Sequence, residues 1–287
     1  LTALSKPKQY NLATMIDDSP ITIETDGKQW SPRNYDRKDH GKVPLIVAMA
    51  KSYNQAAARV GNQVGVDAVA DVMQQLGLAR EVNRVPSLFI GTTQLSPFEV
   101  TGLYQTIAAN GYRTPLKAIR AVLDSNNLPL ERFQYRLEQE VEPDAVHLLQ
   151  RAMIQVGRDG SARSARRKLG NEFIFAGKTG TSNKQRDSWF AGFTGDMLAV
   201  VWLGHDDNTP TQYTGASGAL PIWTQLIKSS SRRPLLPLAS ENIHYQWIDI
   251  ITGRQSDASC FNAIELPFIK DFDAQNILQK RSSCSSP

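Results

Sequence analysis

The stretch "FAGKTGTSNKQRDSWFAG", Phe175 to Gly192, contains Gly177-Lys178-Thr179, the ending of a phosphate-binding loop. Such a loop needs a second glycine five positions before its Gly-Lys-Thr, so that successive backbone N–H groups can wrap the phosphates. Glu172 stands there, a carboxylate that would repel the ligand, and the next glycine back, Gly170, lies too far upstream. Gly180 and Asn183 also break up the helix whose N-terminus should receive the anion. The phosphate reading fails, and Lys178 needs another task. A second triplet, Ser52-Tyr53-Asn54, lies far upstream between two helical patterns. Alone it is an ordinary pair of helix caps.

The elements that must hold these residues follow from the pattern around them. "FIFAGKTGT" is a short β-prone run; Phe190–Phe193 and Met197–Leu203 are two more, separated by the turn-like Thr194-Gly195-Asp196. Three adjacent antiparallel strands are expected, with Lys178-Thr179-Gly180 on a strand bordering a cleft. Gly180, lacking a side chain, would let a substrate backbone approach. "ITIE" and "KQW" around Asp26-Gly27 read as a hairpin. From Pro44 to Leu78 the apolar spacing is helical, closed by Gly77. A helix over 95–111 takes Ser96 as N-cap, Pro97 at its first position and Gly111 as its stop. Residues 116–137 read as two strands around an Asp124–Pro129 turn, 143–160 as a helix with Asp144 in its first turn, and "LPIWTQLIKSS" as the last helix. The serine- and proline-rich 229–240 reads as a linker, and the residues after it as a short appendage.

Composition narrows the class. A chain of 287 residues, 41% hydrophobic and 21% charged, suits a soluble globular protein of one large domain or two smaller ones. Its net charge of +4 reads as an ordinary surface. The dense basic cluster "ARSARRKLG", 162–170, reads as an exposed loop; no aromatic residues interleave with it as nucleic-acid stacking requires. His40, His147, His205 and His244 show no ligand spacing, so metal catalysis has no support. No apolar run approaches a membrane span. No signal peptide opens the chain, which begins at Leu1 in mid-pattern, so a piece of a longer polypeptide is expected. Cys260 and Cys284 sit close to the C-terminus, by chance or as a disulfide closing a loop.

Ser52-x-Asn54 together with Lys178-Thr179-Gly180-Thr181 match the second and third signatures of penicillin-recognising serine acyl transferases. "TALSKPKQYNLATMIDDSPI", "WSPRNYD", "AKSYNQAAARVGNQVG", "GTTQLSPFEVTGLYQTIAANG", "AGKTGTSNKQRDSWFAGFTG", "VWLGHDD" and "TGASGALPIW" follow in the family's order. Over residues 1–228 the chain resembles the transpeptidase domain of class A, bifunctional penicillin-binding proteins, nearest to the 1b type of Gram-negative bacteria. One departure stands out. The family's nucleophile lies in a Ser-x-x-Lys signature at the start of a core helix. The Ser-x-x-Lys here, Ser5-Lys6-Pro7-Lys8, carries a proline that spoils the helical turn, in a segment that in the family follows the true motif. The resemblance therefore implies a nucleophile and its lysine upstream of Leu1.

The resemblance implies a mixed α/β (α+β) fold of the D,D-transpeptidase and serine β-lactamase kind: an antiparallel sheet flanked by helices, plus an all-helical region. Residues 1–232 would form the transpeptidase domain without its N-terminal part, and 233–287 the linker and appendage. The implied reaction cross-links peptidoglycan stem peptides by serine acyl transfer, and β-lactams are its inhibitors. The parent would also be a glycosyltransferase, anchored by an upstream helix at the periplasmic face of the inner membrane. Cell-wall synthesis and outer-membrane activator proteins would be its partners; neither cofactor nor nucleic acid is implied. Ser52, Asn54 and Lys178 would be catalytic: Ser52 relaying a proton to the leaving amine, Asn54 holding the acyl portion's amide, Lys178 biasing the hydroxyl network. Thr179, Gly180 and Thr181 would bind the substrate, the two threonines donating to its carboxylate and the Thr181 N–H helping to form the oxyanion hole. Asp187 and Trp189 would be structural, Trp30 and Trp202 core or cleft wall. An oxidising periplasm would favour a Cys260–Cys284 disulfide. The alternatives are a D,D-carboxypeptidase or β-lactamase-like hydrolase, or a non-catalytic scaffold.

Overall fold

Phe190 and Phe193 organise the molecule. They stand three apart on one strand and so face opposite sides of its sheet. Phe190 packs with Phe175, Leu220 and Trp223, whereas Phe193 joins a larger cluster built on Leu148, Met153 and Ile107. The computed structural model describes residues 1–134, 136–270 and 284.

The first part of the chain forms β1 (Met15–Asp17), the β2 (Ile23–Thr25) and β3 (Lys28–Trp30) hairpin at Asp26-Gly27, and β4 (Lys42–Pro44), which pairs with β1. Helices α1 (Leu45–Lys51), α2 (Asn54–Val64) and α3 (Val66–Gln75) follow. Gly77 lies just past α3 with φ +111, a conformation cheap only for glycine. Helix α4 (Pro97–Ala108) opens on Ser96 with a capping box: Ser96 accepts from the Glu99 N–H, and the Glu99 carboxylate accepts from the Ser96 N–H.

Short strands β5 (Tyr112–Arg113) and β8 (Glu138–Gln139) bracket the β6 (Ala121–Leu123) and β7 (Pro129–Arg132) hairpin. Asp124 closes that turn, its Oδ1 accepting from the N–H groups of Asn126 and Leu128, both at 2.8 Å. Then come α5 (Pro143–Asp159), α6 (Arg163–Leu169), and the sheet strands β9 (Ala176–Thr181), β10 (Asp187–Phe193) and β11 (Leu198–Gly204). The sheet is antiparallel in the order β11-β10-β9, which puts β9 at an edge among the described residues. Helix α7 (Ala219–Ser230) lays Trp223 on Phe190, and α5 supplies the apolar stripe behind β9.

Residues 231–240 carry no regular structure, yet Ser231 and Leu235 are buried, and the Leu235 N–H donates to the Ile174 carbonyl at 2.8 Å. Strands β12 (Ile243–Asp249) and β13 (Ala263–Ile269) form a closing hairpin whose Ile248, Leu266 and Phe268 enter the larger cluster. Cys260 and Cys284 are bonded, with their Cα atoms 5.3 Å apart.

One expectation needs correction and one is narrowed. The basic run after Ser161 is the helix α6, not a loop: Ala162 and Ala165 are buried against their neighbours while Arg163, Arg167 and Lys168 face solvent. Of the two places expected for Trp202, the core is excluded: it is 38% exposed on β11, and its indole N–H donates to Asp187 Oδ1 at 3.0 Å.

Candidate active site

Ser52 ends helix α1 in the left-handed conformation, φ 63 and ψ 49. A residue with a Cβ pays about 1–2 kcal/mol there, and surrounding bonds hold it. The Tyr53 N–H donates to the Ala48 carbonyl at 2.9 Å, and that of Ser52 to Met49 at 3.2 Å. The reversal breaks one helical pattern into two, so Ser52 leaves α1 just as Asn54 starts α2. The first free N–H groups of α2 are capped by side chains from elsewhere: Gln55 donates to Asn34 Oδ1 and Ala56 to the Asp18 carboxylate.

Across from this turn lies β9. Lys178 Nζ donates to Ser52 Oγ at 2.7 Å and to the Thr179 carbonyl at 3.2 Å. Burial pushes the Lys178 ammonium down to about 8, because desolvation penalises its charged form. Near neutral pH both forms of the amine are then accessible, and the hydroxyl beside it can give or take a proton.

The hydroxyls of β9 are also placed. Thr179 Oγ1 lies 2.6 Å from Ser161 Oγ, at the far end of α5. Ser161 is tied down in turn, its N–H donating to the Ala50 carbonyl at 3.2 Å. Lys51 Nζ meets the Asp159 carboxylate at 3.1 Å, so the ends of α1 and α5 are joined beside the strand. Thr181 Oγ1 accepts from the Gly215 N–H at 2.9 Å, which leaves its own proton to donate outward. Asn54 donates from Nδ2 to the Arg33 carbonyl at 2.8 Å, leaving its carbonyl oxygen outside that bond.

Gly180 also has close neighbours within the fold. A Cβ there would meet Trp189, its cross-strand partner, at 3.1 Å. The loop bearing Gly215 closes over the same spot, where a Cβ at 215 would come within 2.5 Å of the Gly180 carbonyl. The glycines let the loop seat on the strand, which holds Thr181 in place.

Ser52 and Lys178, 126 residues apart in sequence, thus meet directly, with Asn54 beginning the next helix and Thr179 and Thr181 on the strand edge. Ser161 was not singled out by its sequence; a serine after a helix-ending glycine carries no local signal. Ser5 sits in an exposed turn with its hydroxyl on the Leu1 carbonyl at 3.4 Å. Among the described residues no three His, Cys, Asp or Glu side chains gather as metal ligands, and no helix is long and apolar enough to cross a membrane.

An antiparallel sheet with a lysine-bearing edge strand, faced by a Ser-x-Asn turn, defines a serine penicillin-recognising domain. Residues 3–228 match the penicillin binding protein transpeptidase domain, and the chain belongs to that family. Penicillin-binding protein 1B of Vibrio cholerae is 40% identical over 277 residues, 93% of this chain and 34% of its own length. That of Escherichia coli is 34% identical over 291 residues, covering 100% of this chain and 34% of its own. The chain therefore spans about a third of the curated relatives it matches. In fold it is similar to penicillin-binding protein 1A of Haemophilus influenzae, with a TM-score of 0.85 at 22% identity, over 98% of this chain and 47% of that one. PonA1 of Mycobacterium tuberculosis, solved with penicillin V, gives 0.68 at 20% identity, over 88% of this chain and 70% of that one.

Proposed function

We propose that this chain is the D,D-transpeptidase domain of a class A penicillin-binding protein, cross-linking peptidoglycan stem peptides at the periplasmic face of the inner membrane. The observation that carries the reading is the Lys178–Ser52 bond at 2.7 Å, which joins the two signatures at the β9 edge. The acylating serine and its lysine lie upstream of Leu1, since Ser5 stands in an exposed turn. In the first step that serine's oxygen bonds to the penultimate D-alanine carbonyl carbon, and the carbon–nitrogen bond to the terminal D-alanine breaks. The proton that the attacking serine loses passes to its upstream lysine and is relayed through the Ser52 hydroxyl to the leaving amine. An amine from a second stem peptide then attacks the ester and releases the serine.

Lys178 and the hydroxyls of Thr179 and Thr181 attract the terminal carboxylate. Asn54 aligns the acyl chain along the β9 edge, and the Thr181 N–H shares the developing oxyanion with the nucleophile's own N–H. β-Lactams enter as mimics of the same dipeptide and stop at the ester. The upstream part of the parent supplies a glycosyltransferase and a membrane anchor, and activator proteins of the cell envelope dock on that parent.

Incubation with a fluorescent penicillin followed by mass spectrometry tests the reading. The chain beginning at Leu1 should form no covalent adduct, whereas the same chain preceded by its upstream residues should be labelled on a serine before Leu1. An adduct on Ser5 overturns the placement, and fast release of the drug from the longer protein favours the hydrolase reading.

A further inference from the structure

The Ser52–Asn54 turn is held by a polar network that neither family signature contains. Its centre is Asp18, a carboxylate with 0% exposure. Asp18 Oδ2 accepts from Asn34 Nδ2 at 2.6 Å and from His40 Nδ1 at 2.8 Å, while Oδ1 accepts from the Ala56 N–H at 2.9 Å. Asn34 Oδ1 accepts from the Gln55 N–H at 3.2 Å. Gln55 in turn donates from Nε2 to the Asp18 carbonyl at 2.6 Å and to Asp39 Oδ1 at 2.9 Å. The first turn of α2 therefore rests on Asp18 and Asn34, and His40 donates to the same Asp18 carboxylate.

His40 does two further things. Its Nε2 meets Asp36 Oδ2 at 3.0 Å, so the ring bridges two carboxylates from different parts of the chain. Its flat face stacks on Tyr53, the middle residue of the triplet, with centroids 3.9 Å apart and planes 11° from parallel. One ring thus touches the triplet directly through Tyr53, and through Asp18 fixes the N-terminus of the helix that Asn54 begins. The same 33–40 segment supplies the Arg33 carbonyl that takes the Asn54 amide proton. Of the three donors to the buried Asp18 carboxylate, His40 is the one that also contacts the triplet, through Tyr53.

We propose that His40 is a positioning residue for the acyl-transfer site: by bridging Asp18 and Asp36 and stacking on Tyr53 it sets the geometry of Ser52 and Asn54. The proposal rests on the transpeptidase reading for its effect on rate, but not for its effect on the turn. Two variants separate the contacts. His40→Phe keeps the stack and loses the carboxylate bridge; His40→Asn keeps a donor for Asp18 and loses the stack.

Hydrogen exchange on the full chain reads the turn without any reaction. The Gln55 and Ala56 amides should exchange at least tenfold faster in His40→Phe, with α5 amides unchanged. Single-turnover acylation of the nucleophile-bearing protein by a fluorescent penicillin reads the consequence. The first-order acylation constant should fall about tenfold in His40→Phe and severalfold in His40→Asn, with the dissociation constant within twofold of wild type. A uniform loss of folded protein would lower the reacting amplitude and leave the constant alone, so this split distinguishes positioning from bulk stability. Wild-type exchange at Gln55 and Ala56 in both variants overturns the positioning role, as does a wild-type acylation constant in both. A wild-type protein that is never acylated counts against the transpeptidase reading, and the exchange data still decide the role of His40.

Discussion

The β9 edge at Ser52 and the C-terminal hairpin differ in what mainly holds them. At the cleft, polar atoms meet polar atoms: Lys178 on Ser52, Thr179 on Ser161, Thr181 on Gly215, with Ser52 itself in the left-handed region. In the hairpin, Ile248, Leu266 and Phe268 are wholly buried in the main cluster, and the Cys260–Cys284 bond ties the segment after β12 to a point near the C-terminus. Apolar burial and a covalent link hold position without keeping a proton mobile. The cleft gives up some of that stability to keep a desolvated amine and a hydroxyl in reach of each other. Chemistry and stability should then be separable by mutation.

The largest test falls on the cleft. Lys178→Ala removes the amine beside Ser52 and a charge that the fold had to desolvate. In the nucleophile-bearing protein, acylation by penicillin should slow by about 10²–10⁴-fold, the usual worth of a positioned acid or base. Its melting temperature should stay close to wild type, since no apolar packing is lost. Stopped-flow labelling and calorimetry on one preparation decide it. If the melting temperature collapses while the rate per folded molecule holds, the contrast between the two regions is wrong.

The hairpin gives the reverse test. Replacing both Cys260 and Cys284 with serine opens a loop spanning a sequence separation of 24. On the loop-entropy account this costs roughly 3 kcal/mol, read as a lower denaturation midpoint in urea. The acylation constant should remain within twofold of wild type. A matching loss of rate would mean that the hairpin supports the cleft through α5, whose Leu148 and Met153 share its cluster.

What the sequence made legible divides along the same line. Local signals were readable: the Ser96 cap with Pro97, the Asp26-Gly27 hairpin and the three sheet strands all stand where period and turn chemistry put them. The pairing of Ser52 with Lys178 was readable only through the resemblance, because no periodicity connects residues so far apart. Tertiary contacts without a motif were missed. Ser161 gains its role by packing against Thr179, and His40 by stacking on Tyr53. Helix α6 was misread because its cationic composition outweighed two alanines that bury against the core. Gly180 carries a further constraint with no local signal: Trp189 across the strand and the Gly215 loop both crowd it.

The smallest effect concerns the proton on Lys178, and it has two readouts of opposite sign. The amine titrates near 8 in the folded protein, against an ordinary value of 10.5. Below about pH 8 it is an ammonium that attracts a carboxylate; as pH rises through that value the charge is lost. Affinity for a penicillin carboxylate should therefore weaken between pH 7 and 9, by up to about tenfold for the loss of one close charge. Folding stability should move the other way. The folded state resists the charged form, so the unfolded chain binds the extra proton between pH 8 and 10.5, and this group's contribution to stability rises with pH across that window. Lys178→Arg supplies the control, because a guanidinium stays charged throughout and should flatten both profiles. Dissociation constants from single-turnover acylation and urea midpoints at matched ionic strength measure the pair. If the wild-type affinity does not change across pH 8, Lys178 is not the group that holds the carboxylate, and the role passes to the hydroxyls of Thr179 and Thr181.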